Sequence, residues 1–431
     1  MNSNKQRIII LGGGYCGIQA AKVLSKKLKD RKDIEIVLID RGSKHIYVAE
    51  LYEVSTAYYE KMSDECLTEL GDLLAFPLKI TLNGKKVKFV QAEVTKIDHE
   101  NKKLALENGK ALSYDYLVMA LGSVTNYYGI PGLEGNVLGL KTLTEALKIN
   151  CDTEHQLKEH FAKNLNQQIH QGLQKPFKII VGGGGFTGAE IVCEMALFIR
   201  KLAKKYSFNH SLVELKVIQA LPQMIGLGER VSELTIQRFN NLGITFLLST
   251  TITGFEDKTL KLTNSTTNKN FEEKVDLFIW TAGIKPHPMV KESFEKADKS
   301  GALPTKPTLE SQDYPGIYAG GDAALIIDPK TSKPIPKIGQ LALQEGVTIG
   351  ENIVARILGK PEKPFKPFFK GFVIQLGGKY AVWCKGKYAF GGIVPWMMRK
   401  YIDLNYYLGI LPPLKAIRKW WKGMNIFLQN D

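Results

Sequence analysis

The chain has 431 residues, of which 44% are hydrophobic and 23% charged, and its formal net charge is +15. This composition is typical of a globular protein and excludes a disordered or fibrous chain. No apolar run approaches the roughly 18 uncharged residues that a membrane-spanning helix needs. The start of the chain is polar up to Arg7 and shows no signal peptide. We therefore expect a protein that stays in the compartment where it is made.

Cysteine spacing and charge distribution narrow the expectation further. The five cysteines are scattered, with no C-x-x-C pair and no metal-ligand spacing, which predicts free thiols in a reducing cytoplasm and no metal site. The positive charge is uneven, because the segment from Arg356 to the end holds fourteen Lys and Arg against three Asp and Glu. A basic tail fits nucleic acid, an anionic membrane or a solvated surface.

The first predicted elements are a strand, a tight glycine turn and a helix. The apolar run Ile8–Leu11 enters Gly12-x-Gly14-x-x-Gly17, and a helical pattern covers Tyr15–Leu28. Gly12 permits the bend, Gly14 lets the backbone approach a pyrophosphate, and Gly17 lets helix and strand pack closely. Free N–H groups at the helix start would face the anion. The pattern predicts a dinucleotide-binding unit.

The following segments extend this unit. The predicted strand Glu35–Ile39 ends in Asp40, at the spacing expected for a carboxylate that binds a ribose. Residues His45–Ala57 are rich in aromatic and small side chains and could lie against a flat ring. Short alternating segments over Val87–Met119 predict hairpin strands, and the last of them enters a second glycine turn at Gly122.

The opening pattern then returns. Pro131 marks a predicted boundary, and polar helical segments follow from Thr142 to about Leu173. Phe177–Val181 is a predicted strand, and the helix Ala189–Lys205 comes after a second glycine motif. The residues of interest in that motif are Gly183, Gly185, Gly188 and the directly following Glu190. The chain is therefore predicted to contain two dinucleotide-type sites.

The second unit continues with a strand, a helix and two further strands, and after it the first unit resumes with a strand that ends in a carboxylate and a last helix. The predicted elements, in chain order, are the strand Glu214–Ile218 ending at Gln219, the helix Val231–Leu242, the strand Thr245–Leu248, a strand from Val275 ending near Gly283, a strand from Gly316 that delivers Asp322 to a turn, and a helix from about Lys337 to Leu358.

The tail from Pro361 differs in kind. After a predicted hairpin over Phe372–Phe390 come two amphipathic stretches. Their apolar faces comprise Met397, Tyr401, Leu404 and Leu408 in the first, and Leu414, Ile417, Trp421, Met424 and Leu428 in the second. The charged residues that lie off these faces are Arg399, Lys400, Asp403, Lys415, Arg418, Lys419 and Lys422. Aromatic rings beside cations suit the interface of an anionic bilayer, and the alternative is a helix packed on its own domain or on a partner subunit.

Several segments together resemble the two-dinucleotide-fold flavoprotein family, namely GGGYCG, YLVMALGS, GGGFTGAE, IWTAGIKP and IYAGGDAA. Within that family the chain is similar to the type II NADH:quinone oxidoreductases. Three features carry this likeness: GQLALQ at 339–344, which resembles the family's AQxAxQ motif with Gly in place of the first Ala; LYEVSTA at 51–57; and the basic amphipathic C-terminus.

The resemblance implies an α/β fold with two Rossmann-like dinucleotide-binding domains, as in glutathione reductase, and a C-terminal amphipathic membrane-associating region. The implied domains are 1–128, FAD-binding, first part; 129–290, NAD(P)H-binding; 291–360, FAD-binding, second part; and 361–431, membrane-associating. The implied localisation is peripheral, on the cytoplasmic face of the cell membrane, and a homodimer is an open expectation.

The resemblance also implies roles for single residues. FAD would be bound by Gly12, Gly14, Gly17, Asp40, Gly122 and Asp322, and NADH by Gly183, Gly185, Gly188, Gln219 and Gly283. Glu190, Gln340 and Gln344 would lie on the path to a membrane quinone, and Lys400 could assist at its entrance. From spacing alone, a pair such as Gln340 and Gln344 is more often an ordinary solvated helix face, and only the motif favours a functional role. Glu190 could equally be a structural carboxylate at a helix N-terminus.

One departure concerns nucleotide choice. NADH-binding members usually place a carboxylate where this chain has Gln219, and a glutamine does not repel a 2′-phosphate. NADH remains the expected donor, and NADPH stays open.

The expected reaction passes hydride from NADH to FAD and two electrons on to quinone, without proton pumping. Alternatives are a sulfide:quinone oxidoreductase using Cys151 and Cys384, a soluble FAD- and NAD(P)H-linked reductase, and a redox-sensing flavoprotein. A nucleic-acid binder is disfavoured, because the basic residues lie on an amphipathic tail without a nucleic-acid motif.

Overall fold

The computed structural model describes residues 5–171 and 175–430. The chain forms two compact units, each assembled from separate stretches of sequence. The first unit comprises Met1–Ile46, Ala75–Val124 and Ile284–Phe369. The second unit comprises Tyr47–Leu74, Thr125–Gly283 and Lys370–Asp431.

The helices occur in both units. In chain order they are α1 Tyr15–Lys27, α2 Leu51–Thr56, α3 Asp64–Leu74, α4 Leu78–Thr81, α5 Leu143–Gln171, α6 Phe186–Tyr206, α7 Glu229–Leu242, α8 Pro288–Ser293, α9 Gly339–Ile357, α10 Ile393–Ile410 and α11 Pro413–Phe427. Short 3-10 turns lie at Val48–Glu50, His210–Leu212, Gly321–Ala323 and Leu428–Asn430.

The strands are mostly short. In chain order they are β1 Gln6–Leu11, β2 Ile34–Asp40, β3 Lys44–Ile46, β4 Ala75–Pro77, β5 Lys88–Gln91, β6 Val94–Asp98, β7 Lys103–Leu106, β8 Ala111–Ser113, β9 Tyr116–Met119, β10 Ser123–Thr125, β11 Leu138–Gly139, β12 Phe177–Gly182, β13 Val213–Ile218, β14 Ile244–Leu247, β15 Thr250–Glu256, β16 Thr259–Asn264, β17 Lys269–Lys274, β18 Leu277–Trp280, β19 Ile284–Pro286, β20 Leu303–Pro304, β21 Ile317–Ala319, β22 Ala324–Leu325, β23 Phe372–Gln375, β24 Ala381–Lys385 and β25 Tyr388–Gly392.

The first unit is built on a parallel five-stranded sheet in the order β21-β9-β1-β2-β5. Strand β1 is central, and its residues Ile8–Leu11 are fully buried, as their continuous apolar run requires of an inner parallel strand. Helices α1 and α9 pack closely, because a Cβ on Gly346 would lie 2.2 Å from the Cys16 carbonyl oxygen. The glycine turn after β1 is thereby fixed between sheet and helix.

The second unit repeats this plan. Its parallel five-stranded sheet has the order β11-β18-β12-β13-β14, and α6 follows the central strand β12. Two antiparallel three-stranded sheets, β15-β16-β17 and β23-β24-β25, belong to the same unit. The predicted α/β class with two Rossmann-like units is therefore present.

Local structure differs from the expectation in three places. Residues 45–57, which have no clear pattern in sequence, form the end of β3, a 3-10 turn and α2. The predicted hairpin over 372–390 is a three-stranded sheet that extends to Gly392. Residues 47–74 and 370–431 both belong to the second unit. The sequence instead predicts residues 47–74 within the first FAD-binding segment and residues 361–431 as a separate membrane-associating region. Segments distant in sequence meet there because buried charges join them, as described below.

The last two helices lie in the second unit. Within residues 5–171 and 175–430, no helix combines the length and the apolar character needed to cross a membrane. The helical segment expected up to about Leu173 ends, as far as it is described, at Gln171 in α5. Leu173 itself lies outside the described residues.

Candidate dinucleotide sites and a buried ion cluster

In the glycine turn of the first unit, two glycines are required by the backbone, and the remaining one has free space beside it. Gly12 has a φ of +103°, and a Cβ there would lie 2.2 Å from the Ala120 carbonyl oxygen. A Cβ on Gly17 would lie 1.9 Å from the Gly12 carbonyl oxygen. A Cβ on Gly14 would meet no protein atom within 4 Å. Gly14, directly before helix α1, thus leaves room for an anion at the helix start.

Asp40 is held rigidly at the end of β2. Its two carboxylate oxygens accept hydrogen bonds from the Gly13 amide, at 2.6 Å, and from the Gly42 amide, at 2.7 Å. Each oxygen retains a second lone pair, so the carboxylate could still accept a ribose hydroxyl. Asp40 therefore links the glycine turn to the position where a ribose is expected.

Asp322 lies in the 3-10 turn after β21, where the first unit resumes. It accepts a hydrogen bond from the Ser123 hydroxyl, which stands one residue after Gly122. Gly122 itself has a φ of +70°, and its carbonyl accepts a hydrogen bond from the His287 amide at 3.1 Å. The two segments predicted to enclose one ligand, at Gly122 and Asp322, are therefore brought together.

A buried carboxyl that the sequence analysis did not single out lies below this turn. Glu345 Oε2 accepts a hydrogen bond from the Gly321 amide at 2.5 Å. Burial raises the pKa of Glu345 to about 7, with Gly321 and Lys337 opposing the rise. Lys337, whose pKa is lowered by burial, donates to the Ala324 carbonyl. The only sequence signal for Glu345 is its position directly after the predicted Gln344.

The second glycine turn has the same backbone constraints as the first. Gly183 has a φ of +107°, and a Cβ there would lie 2.6 Å from Ala282 Cα. A Cβ on Gly188 would lie 1.8 Å from the Gly183 carbonyl oxygen, whereas one on Gly185 would meet nothing within 4 Å. Gly185 thus leaves the start of α6 open, as Gly14 does for α1.

Gln219 occupies the position that corresponds to Asp40. Its Oε1 accepts from the Gly184 amide at 3.2 Å, and its Nε2 donates to the Gln223 carbonyl at 3.2 Å. The side chain is buried at the end of β13, next to the glycine turn. On the other side, a Cβ on Gly283 would lie 2.2 Å from the Tyr128 hydroxyl. The second turn is therefore enclosed by the residues that the sequence predicts.

The two turns fit the dinucleotides expected from the sequence. Each offers free amides at a helix start, an open glycine for the close approach of a pyrophosphate, and a polar side chain at the end of the next strand. The residues present thus fit FAD in the first unit and a nicotinamide nucleotide in the second.

Glu190 lies in the first turns of α6, within the second unit. It is buried, and the Gln375 backbone amide hydrogen-bonds to its carboxyl group. Burial raises the pKa of Glu190 to about 8; Arg399 opposes the rise, while Glu53 and Asp403 add to it. A carboxyl with this pKa can gain or lose a proton near neutral pH.

We expect Glu190→Gln to flatten part of the pH dependence of stability. Below about pH 4.3, the ordinary glutamate pKa, the carboxyl is protonated in both states and its effect vanishes. Between that value and about 8 the unfolded chain ionises while the folded chain keeps its proton, so the free energy of unfolding falls as pH rises. Urea unfolding of both proteins should show the variant gaining relative stability across this range. Parallel curves would contradict the assignment.

Helix α10 buries its charged face. Arg399 donates to the Ala49 carbonyl at 2.6 Å, and its Nε lies 3.3 Å from Asp403 Oδ1. Lys400 Nζ donates to Glu53 Oε1 at 2.8 Å. The sequence pattern places these α10 charges off the apolar face but does not indicate that they are buried. Glu50 and Glu53, which precede and lie within α2, complete a buried ion cluster that it missed.

The apolar faces of α10 and α11 are instead exposed. Exposed members of these faces include Leu414 (73%), Tyr401 (69%), Met397 (59%) and Trp421 (55%). Lys415, Arg418 and Lys422 are exposed on the second of these helices. Helix α10, which exposes rings and aliphatic groups while it buries charge, is the reverse of an ordinary water-facing helix, and α11 exposes apolar and basic side chains together.

Gln340 and Gln344 lie at the start of α9, in the first unit. The Gln344 amide is engaged at both ends by Phe368, whose carbonyl accepts from Nε2 and whose N–H donates to Oε1, each at 3.0 Å. Nε2 also donates to the Gln340 carbonyl at 3.1 Å. Gln344 thus fixes the neighbouring backbone.

Comparisons with known proteins agree with this geometry. The family model described as pyridine nucleotide-disulphide oxidoreductase matches residues 6–346. The type II NADH:quinone oxidoreductase of Staphylococcus aureus strain MSSA476 is 28% identical over 406 residues, which cover 94% of this chain and 95% of the relative. The Staphylococcus saprophyticus protein of the same name is 29% identical over 380 residues, covering 88% and 89%.

Solved structures share the fold. NDH2 from Plasmodium falciparum in complex with NADH superposes with a TM-score of 0.79 at 19% identity, over 97% of both chains. The sulfide:quinone oxidoreductase from Aquifex aeolicus superposes with a TM-score of 0.74 at 17% identity, over 96% of this chain and 92% of that one. At these identities the likeness concerns the fold.

Proposed function

The chain belongs to the pyridine nucleotide-disulphide oxidoreductase family, and on that basis we propose that it is an FAD-dependent NADH:quinone oxidoreductase that does not pump protons. The observation that carries the proposal is the pair of glycine turns, each with one position open beside a helix start. The predictions of the family, of the fold and of an oxidoreductase are confirmed. The relatives named type II NADH:quinone oxidoreductase support quinone as the acceptor.

In this proposal each unit binds one dinucleotide. In the first, Gly14 and Asp40 hold the pyrophosphate and ribose of FAD, and Asp322 binds the other end of the molecule. In the second, Gly185 and Gln219 do the same for NADH. FAD supplies two-electron redox chemistry when bound, and the protein orients the donor and excludes water.

The acceptor side needs a proton as well as electrons. Reduction of a quinone by NADH consumes one proton, since NADH, a proton and quinone give NAD⁺ and quinol. Glu190, with its raised pKa, is suited to pass that proton on. In the first unit, the sequence resemblance gives Gln340 and Gln344 a role toward the quinone, and Gln344 would act there by fixing the backbone at Phe368.

Turnover tests the proposal. The purified flavin-containing protein should oxidise NADH rapidly when a water-soluble short-chain quinone is added, and slowly without it, as followed by NADH absorbance. No quinone-dependent oxidation by fully flavinylated protein would overturn the proposal. A long-lived reduced flavin in the presence of quinone would instead support the redox-sensing alternative.

Nucleotide choice should depend on Gln219. In Gln219→Glu a carboxylate would bind the 2′-hydroxyl of NADH and repel the 2′-phosphate of NADPH. We expect the ratio of kcat/KM for NADH over NADPH to rise about tenfold, equal to roughly 1.4 kcal/mol. Gln223→Glu, on the exposed neighbouring turn, is the control and should leave the ratio unchanged. An unchanged ratio in both variants would remove Gln219 from the ribose site.

We further propose that α10 and α11 bind the cytoplasmic face of an anionic membrane. Support comes from their exposed apolar faces and from the cations beside them. The combined substitution of Leu414, Ile417 and Trp421 by Ser should abolish flotation with vesicles that contain phosphatidylserine. Leu221→Ser, at a residue 55% exposed elsewhere, should float like the original protein. Flotation of the triple variant would contradict this role.

The cysteine-based alternative has little support. Burial raises the pKa values of the Cys151 and Cys384 thiols, which disfavours reactive thiolates. All five cysteines are free thiols. A homodimer remains a prediction from the sequence resemblance.

A further inference from the structure

The buried ion cluster contains more acids than bases. It lies between α10 and the segment around α2, entirely within the second unit. Its members are the carboxyl groups Glu50, Glu53 and Asp403 and the cations Arg399 and Lys400. The side chains are between 0% and 12% exposed, so water cannot screen the imbalance.

Two of the three carboxyl groups each form an ion pair with one of the two cations. Asp403 pairs with Arg399 at 3.3 Å, and Glu53 pairs with Lys400 at 2.8 Å. Asp403 also accepts the Tyr47 hydroxyl at 2.6 Å. Glu53 also accepts from Gln375 Nε2 at 2.9 Å.

Glu50 is the carboxyl left over. It lies 3.9 Å from the Lys400 ammonium that Glu53 already holds, and its other contact is the neutral Tyr407 hydroxyl at 3.1 Å. A fully ionised cluster would carry one uncompensated negative charge in the protein interior. Protonation of one carboxyl removes that cost, and Glu50 is the one with the weakest ion pairing.

We propose that Glu50 is a neutral acid at neutral pH and serves as the internal proton reserve for quinone reduction. This role rests on the proposed function, because a reserve needs a reaction that consumes protons. Glu50 acts through other residues and does not touch the quinone. It is thus a residue of the proton supply and not a catalytic residue.

The electrostatic surroundings agree with this assignment. Burial raises the pKa of Glu50 well above its ordinary value, and Asp403 and Glu53 raise it further. Lys400 and Arg399 act in the opposite direction. Other titratable groups around the cluster are Tyr47 and Tyr52 from the side of α2, Tyr406 and Tyr407 from α10, and Glu190 and Glu194 from α6.

Lys400 provides the connection. Its Nζ lies 2.8 Å from Glu53 Oε1 and 3.9 Å from Glu50 Oε1, so the transfer requires Glu50 to approach more closely. An N–H bond of Lys400 then breaks as an O–H bond forms on Glu53, and the O–H bond of Glu50 breaks as a new N–H bond restores the lysine charge. Gln375 links Glu53 to Glu190, because its Nε2 donates to Glu53 Oε1 at 2.9 Å and its backbone amide hydrogen-bonds to the Glu190 carboxyl group. The proton therefore moves from Glu50 through Lys400 and Glu53 toward Glu190. One proton from water then restores Glu50, which balances the single proton that each NADH-driven quinone reduction consumes.

Infrared spectroscopy tests the protonation state without any turnover. Glu50→Gln should remove the C=O stretching band of one protonated carboxylic acid at neutral pH. Glu154→Gln is the matched control, because Glu154 is also buried but has its own ion pair with Lys205 at 2.6 Å. The control should leave this band intact. An unchanged band in Glu50→Gln would overturn the proposal.

Tyr407→Phe covers the case in which Glu50→Gln does not fold. This variant removes the hydrogen bond to Glu50 but keeps the carboxyl, so the band should shift in frequency and keep its area. An unshifted band would show that Glu50 does not carry the proton.

Kinetics test the reserve role separately. In Glu50→Gln, reduction of the flavin by NADH should keep its rate, while quinone turnover falls about tenfold and more steeply at alkaline pH, where protons are scarce. Unchanged turnover together with a lost infrared band would refute the reserve role and leave the proposed function intact. Absence of quinone turnover in the original protein would refute the proposed function, while the infrared band would still decide whether Glu50 is protonated.

Discussion

Gly14→Val is expected to give a folded protein that contains no flavin. A side chain at Gly14 meets no protein atom within 4 Å, so the fold has room for it. The same side chain would occupy the space into which a pyrophosphate must come at the start of α1. Absorbance of the purified protein and of the supernatant after denaturation should show the flavin missing, while circular dichroism remains that of the original protein.

Gly185→Val is the matched variant in the second unit. It has the same open surroundings and should keep its flavin, yet NADH should no longer reduce that flavin at a measurable rate. Dithionite, which needs no nucleotide site, should still reduce it. Flavin retained in Gly14→Val, or lost in Gly185→Val, would mean that the two turns have been assigned to the wrong cofactors.

Lys400→Met is expected to destabilise the second unit by about 3–5 kcal/mol, because it leaves Glu53 buried without its cation. The folded-state pKa of Lys400 is raised, chiefly by Glu53 and Glu50 against the effect of burial. The stabilisation is thus fully present below the ordinary lysine pKa of about 10.4 and is lost as pH rises through the higher folded-state value. Urea unfolding at neutral pH therefore measures its whole effect.

Two further variants make this result specific. Lys415→Met removes an exposed lysine of α11 and should change the unfolding free energy by less than about 0.5 kcal/mol. Glu53→Gln should recover part of the loss when added to Lys400→Met, since it removes the uncompensated charge. A loss in Lys400→Met no greater than in Lys415→Met would show that α10 is not held by this ion pair.

The glycine turns were predictable because their constraints are local. Gly12 and Gly183 have φ values of +103° and +107°, which other residues rarely adopt. A Cβ on the third glycine of each motif, Gly17 or Gly188, would lie 1.8–1.9 Å from a carbonyl oxygen, so no other residue fits there. Asp40 and Gln219 followed from the regular length of a strand, turn and helix. The parallel strands β1, β2, β12 and β13 likewise follow from short apolar runs.

The buried cluster could not be predicted in the same way. An amphipathic pattern shows that a helix has two faces, but it does not say which face meets protein and which meets a membrane. In α10 the charged face is the buried one, because Arg399 donates to the Ala49 carbonyl and Lys400 to the Glu53 carboxylate, both about 350 residues earlier in the chain. The bonding of both ends of the Gln344 amide also depends on a distant partner, Phe368.

Electron transfer from NADH through the flavin to quinone is tested most directly by anaerobic stopped-flow spectroscopy of the flavin-containing protein, mixed first with NADH and then with a quinone analogue. The flavin absorbance should bleach on the first mixing and return on the second, at rates sufficient for steady-state turnover. A flavin that NADH does not bleach, or that stays bleached after quinone is added, would contradict the account.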